Sequence, residues 1–252
     1  MIEIILWILI LAFVMEFIDS TLGGGFGTVL SPLLLLAGFE PLVIVPAILL
    51  SEIFTGFVGG FLNNQMKNVD LLHDEKSKKS LMILITTGIL GSVIAVFLSI
   101  SIPSYYVKVY IAGLVIIMGI LVLLTRNGEP SYRPKRIFGL GVLSGFNKGI
   151  SGGGYGPIIV SGQIVSGLNS KAAVAITSVS EAVTCVCGLL LYLLTGNFVI
   201  VTLTISICLG AILATPFSAI TITKVHHKNL GLLVGASTLT IGLYTLFRIL
   251  VG

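Results

Sequence analysis

The stretch DSTLGGGFGTVLSPLLLLAGF, residues Asp19 to Phe39, sets three successive glycines between two apolar runs. Glycine is a poor helix-interior residue, and a backbone polar group left unpaired in hydrocarbon costs several kcal/mol. A break of this kind is tolerated at membrane depth only inside protein or beside a cavity. The stretch therefore reads as one helix ending at the glycines and a second, short helix opening from them.

The surrounding composition supports a lipid solvent. Of 252 residues 56% are hydrophobic and only 10% charged, which excludes an ordinary soluble domain. Apolar runs of spanning length recur along the chain, as in a polytopic all-α membrane protein. Runs such as IAGLVIIMGILVLL, residues 111–124, do not alternate, so a transmembrane barrel is excluded. The net charge of +4 implies no nucleic-acid partner, because the basic residues gather in short loops, as the positive-inside bias requires. The first run, IEIILWILILAFVMEFI, lacks a basic leader and a small-residue cleavage pattern and is expected to be a retained helix. Cys185, Cys187 and Cys208 all lie in apolar segments and read as small buried hydrophobes, with no metal or disulfide framework. No GxxxxGK loop occurs, so no nucleotide or other cofactor is expected.

Hydrophobic runs give ten segments, at 3–19, 26–38, 42–62, 80–101, 106–125, 137–149, 155–168, 172–194, 198–220 and 229–250. The second and seventh, at about 1.5 Å per residue, reach only about 20 Å of a core about 30 Å thick, and read as half-helices. Taking connections alternately places eleven of the fourteen lysines and arginines on one side, leaving Lys108, Lys148 and Arg248 on the other. The richer side is expected to be cytoplasmic, with both termini outside an inner, or cell, membrane.

A shift of 129 residues lays GGGFG at Gly23–Gly27 over GGGYG at Gly152–Gly156, and SEIFT at Ser51–Thr55 over SEAVT at Ser180–Thr184. The chain thus divides into a first five-helix repeat (1–126), a cytoplasmic linker (127–136) and a second repeat (137–252). An odd number of helices in each half turns the second upside down relative to the first, and inverted repeats point to a carrier working by alternating access. In that arrangement the two glycine breaks meet, and the free N–H groups of two helix starts suit an anion. Gly23, Gly24, Gly25, Gly152, Gly153 and Gly154 are the candidate binding residues. Gly56, Gly59, Gly60, Gly88 and Gly91 recur at helical spacing and read instead as close helix packing.

Glu16, Asp19, Glu52, Lys148 and Glu181 fall inside the segments or at their tips, where charge is expensive and usually functional. Lys148 either meets a bound anion directly or pairs with an acid such as Asp19, its counterpart under the shift. Glu52 and Glu181 either exchange protons during transport or stand neutral against neighbouring hydroxyls. Asp19, Glu52 and Glu181 are the coupling candidates, with protons as the coupling ion.

With its tandem motifs GGGFG…P…G and GGGYG…G…AxTS, the chain resembles the sulfite exporter TauE/SafE family, also grouped as toluene sulfonate uptake permeases, over nearly its whole length. The resemblance carries the family's glycine motif onto Gly23–Gly25 and Gly152–Gly154, its proline onto Pro32, and its A-x-T-S element onto Ala175, Thr177 and Ser178. It implies a permease for small sulfur-containing or organic anions such as sulfite or sulfonates, and no enzyme. The first half departs from it with Ala47-Ile48-Leu49-Leu50 in place of a threonine–serine element.

Two other readings compete with a carrier. Gly149-Ile150-Ser151-Gly152 matches the GxSG of intramembrane serine proteases, but His73, His226 and His227 all fall in loops, away from Ser151. An anion channel shares the opposed helix ends, and saturable uptake separates a carrier from it. Pairing with a second copy of the chain is left open.

Overall fold

The computed structural model describes residues 2–22, 25–70, 74–124, 134–166, 168–196, 200–221 and 228–251. They form ten helices and, among the described residues, no strand: α1 (Ile2–Leu22), α2 (Phe26–Leu36), α3 (Pro41–Gln65), α4 (Glu75–Ser101), α5 (Ser104–Leu124), α6 (Pro134–Ser151), α7 (Gly156–Val165), α8 (Ser170–Leu194), α9 (Val201–Thr221) and α10 (Lys228–Val251). Four of these, in α3, α4, α8 and α9, are long and apolar enough to cross a membrane. With 11 and 10 residues, α2 and α7 are about 15 Å long and too short to do so. The ten expected segments are all present. Residues 134–136 of the expected linker belong to α6, and 127–133 lie outside the described residues.

α4 starts five residues before the hydrophobic run because Asp74 caps it, accepting from the Ser77 N–H at 3.1 Å and the Ser77 hydroxyl at 2.5 Å. The Ser77 hydroxyl holds the Asp74 carboxyl below its ordinary value. A depressed carboxyl stabilises the fold above its unfolded value, about 3.9, and that contribution is lost as pH falls through the folded value. Asp74→Ala should therefore cost about 1 kcal/mol at neutral pH. The difference from wild type should vanish in strongly acidic buffer, as read by thermal melting at both pH values.

Left-handed glycines precede both short helices, directly before α2 and one residue ahead of the Tyr155 cap of α7. Gly25 has φ +83°, and Gly152 and Gly154 have φ +72° and +74°. Gly25 and Gly154 are 129 residues apart, as are Lys67 (φ 56°) and Gly196 (φ 84°), which follow the ends of α3 and α8.

The principal packing joins one half of the chain to the other: α4 on α6, α1 on α9, α5 on α10 and α3 on α8. Renumbering by five helices turns α1–α9 into α6–α4 and α3–α9 into α8–α4, both observed, and returns α3–α8 and α5–α10 to themselves. Glycine sets how close these crossings are. A Cβ on Gly56 of α3 would lie 2.5 Å from the Ser178 carbonyl and 2.7 Å from the Ala182 Cβ of α8. One on Gly145 of α6 would lie 2.6 Å from the Gly88 Cα of α4. Large side chains point outward, Trp7, Phe61 and Phe217 among them, as on a lipid-facing surface.

The tightest approach is between the two glycine breaks. A Cβ on Gly153 would stand 2.5 Å from the Thr28 nitrogen and 2.7 Å from the Gly27 carbonyl carbon, both backbone atoms that cannot step aside. Gly153→Ala should thus lower stability by about 3 kcal/mol, seen as a lower melting point and a smaller monodisperse yield in detergent. A variant as stable as wild type would contradict this contact.

Candidate functional site

α6 carries Lys148 in its last turn, with 1% of the residue exposed. Its Nζ meets Glu52 Oε2 of α3 and lies 2.7 Å from Glu181 Oε1 of α8. Glu52 and Glu181 are the counterpart acids of the two SExxT repeats, 4% and 6% exposed. They converge because Gly56, one turn after Glu52, lets α3 close onto Ser178 and Ala182 beside Glu181. The Cys185 thiol donates to Glu52 Oε2 at 3.6 Å, while Glu52 Oε1 has no hydrogen-bond partner among the described residues. An ion pair this dry is kept together because removing one partner strands the other's charge. Lys148 therefore pairs with Glu52 and Glu181 rather than with Asp19.

Asp19 is engaged elsewhere. Half-buried at the end of α1, its Oδ1 accepts from the Gly25 N–H at 2.6 Å, and its carboxylate also faces the Phe26 N–H. The start of α2 is thus occupied by the protein's own anion, the charge sign a helix N-terminus favours.

Of the candidate glycines, Gly23 and Gly24 lie outside the described residues. The N–H groups of the others are taken inside the protein: Gly25 by Asp19, Gly152 by the Lys148 carbonyl at 2.9 Å, Gly153 by Ser151 Oγ at 3.1 Å, and Gly154 by Thr28 Oγ1 at 2.8 Å. Ser31 Oγ of α2 donates to the Ser151 carbonyl at 2.6 Å, tying the two breaks together. The breaks meet, but among the described residues they leave no open pocket of amides between them in this conformation.

The open space lies beside them. A cavity of about 20 Å3, room for a water or two, is bordered by Glu16, Asp19, Glu52 and Glu181 and by the hydroxyl-bearing Thr55, Thr177 and Ser178. Lys148 is absent from this lining, and its two carboxylate partners border the cavity. Thr177 Oγ1 accepts from Gln163 Nε2 at 2.8 Å and donates to the Ala173 carbonyl at 2.7 Å, and Ser178 donates to the Val174 carbonyl at 3.1 Å. Sequence reasoning missed Thr28, Ser31 and Gln163, since an isolated hydroxyl or amide in an apolar run gives no sign of what it will face. Ser151 Oγ donates to the Asn147 carbonyl at 2.6 Å, backbone satisfaction of a helix-end hydroxyl. The three histidines lie outside the described residues.

Packed apolar helices, two of them too short to span, with a buried ion cluster beside a small polar cavity, mark a multi-pass membrane protein. The chain belongs to the sulfite exporter TauE/SafE family, whose model matches residues 8–245. It is 28% identical over 251 residues to a probable membrane transporter protein, YtnM, of Bacillus subtilis (strain 168), across 92% of this chain and 79% of that relative. No solved structure matches the chain.

Proposed function

We propose that the protein is a secondary carrier of small sulfur-containing or organic anions, such as sulfite or sulfonates, and that Lys148 supplies the positive charge that binds them. One observation carries this reading: Lys148, the one buried cation among the described residues, stands between an acid from each half of the chain, and both acids border a small polar cavity. In this conformation Glu52 and Glu181 take the place of substrate. When the cavity widens, an anion replaces one of them on Lys148, and Thr177 and Ser178 offer hydroxyls to its oxygens. A displaced carboxylate is left without its cation, which favours its taking up a proton, so Glu52 and Glu181 are the groups through which proton movement couples to the anion, with Asp19 on the same cavity wall as the third coupling group.

Two inverted five-helix repeats, 1–126 and 137–252, working by alternating access account for the matched packing partners and for the paired left-handed positions at Gly25 and Gly154. The glycine triplets, Gly23–Gly25 and Gly152–Gly154, then act as the joints of the two broken helices. Their amides reach substrate only when the contacts from Asp19 and Thr28 part. Alternation of the connections puts both termini outside the cytoplasm of the inner membrane. It is supported by the Lys108–Glu40 pair at 2.6 Å, which joins two connections assigned to the same side.

The test is uptake of radiolabelled sulfite and of isethionate, a small sulfonate, by purified protein in liposomes. Saturable, gradient-driven uptake of at least one is expected. Uptake of neither, or a non-saturating conductance across a planar bilayer, would defeat the reading.

A further inference from the structure

Glu16 on α1 is 2% exposed and borders the same cavity, yet no cation among the described residues pairs with it. Its Oε1 accepts from the Ser20 hydroxyl at 2.5 Å, and its Oε2, fully buried, has no hydrogen-bond partner among the described residues. The charged groups that face it are Asp19 on its own helix, Glu181 on α8 and Lys148 on α6. Lys148 is already held by Glu52 and Glu181. The sequences of α9, the principal packing partner of α1, and of α2 contain no charged side chain. Under the 129-residue shift Glu16 falls on Gly145, so the second half supplies no matching group.

An ionised carboxylate in such a place has one hydroxyl donor and two neighbouring acids, faces a Lys148 that two other carboxylates already hold, and borders a cavity with room for only a water or two. Its desolvation is not repaid, whereas the neutral acid loses little. Once the cavity admits water, the ionised form regains its hydration. The two conformations therefore differ in their affinity for a proton, and a ligand shifts an equilibrium by that difference.

We propose that Glu16 is a proton-binding site of the sealed conformation: closing the cavity takes up a proton on its free oxygen, and opening the cavity releases it. The sign of the linkage follows. The sealed state binds the extra proton, so rising pH disfavours it and slows every transit that passes through it. This last consequence rests on the carrier reading above; the proton site itself does not.

The direct test is infrared spectroscopy of the protein in lipid nanodiscs, following the C=O stretch of protonated carboxylic acid. Wild type at neutral pH should show a component of that band that Glu16→Gln removes and Asp19→Asn leaves. Should Glu16→Gln fail to fold, Glu16→Asp should move that component rather than leave it in place. No such component in wild type, or an unchanged band in the Glu16 variant, would overturn the proposal.

Exchange of isethionate at equal concentrations across liposomes supplies the second arm. The wild-type rate should fall as pH rises, and the Glu16→Gln profile should fall clearly less steeply. A Glu16→Gln profile that falls as wild type does would overturn the link between this proton and closure. Wild-type liposomes that exchange neither isethionate nor sulfite would overturn the carrier reading instead, leaving the infrared result to decide on Glu16.

Discussion

Lys148→Met should reduce anion uptake in liposomes by about a hundredfold or more, the size expected when one partner of a buried charge pair is removed. Methionine keeps the apolar stem and removes the ammonium, leaving Glu52 and Glu181 facing each other without a cation. Two carboxylates in that position cannot both stay ionised, so the variant is also expected to melt lower than wild type. Stability and binding are separated by adding Glu52→Gln and Glu181→Gln. The triple variant replaces the ion cluster by neutral groups of similar shape and should regain most of the lost stability while remaining unable to transport. Uptake near the wild-type rate in either variant would remove Lys148 from the site.

Glu52→Gln and Glu181→Gln, made singly, should each cut gradient-driven uptake by about tenfold and weaken its dependence on an imposed pH gradient. Each leaves Lys148 one carboxylate, so the fold is retained, but the cluster then has one acid fewer to take up a proton when an anion arrives. The pair together strips Lys148 of both partners, and a lone buried ammonium costs several kcal/mol. The double variant is expected to yield little folded protein. Flux measured with and without a pH gradient checks the single variants, and wild-type gradient dependence in both would place coupling elsewhere.

Much of this architecture was legible in the sequence. Ten helices, the shortness of α2 and α7, the breaks at the glycines and the close packing at Gly56, Gly88 and Gly91 all follow from hydropathy and residue volume, which act locally. That Lys148, Glu52 and Glu181 lie within apolar segments was legible, but their pairing was not. The shift places Asp19 opposite Lys148 as a counterpart, yet counterparts are related by symmetry and need not touch. Lys148 meets Glu52 and Glu181 because α6 runs beside the α3–α8 crossing, a matter of helix packing that no spacing encodes. The glycine amides misled for a related reason. Three glycines announce an available backbone, but whether a hydroxyl such as that of Thr28 or Ser151 has already satisfied it depends on what the opposite break presents.

The way helices of the two halves cross also bears on how the molecule is born. A ribosome delivers α1 to α5 first, and each of these helices takes its principal neighbour from the later half. Until α6 emerges, the newborn segment must keep Glu52 in or near lipid with the ammonium of Lys148 still unsynthesised. Completion of the chain is therefore the event that neutralises its beginning, and truncation anywhere before residue 148 leaves a fragment that the bilayer has reason to reject.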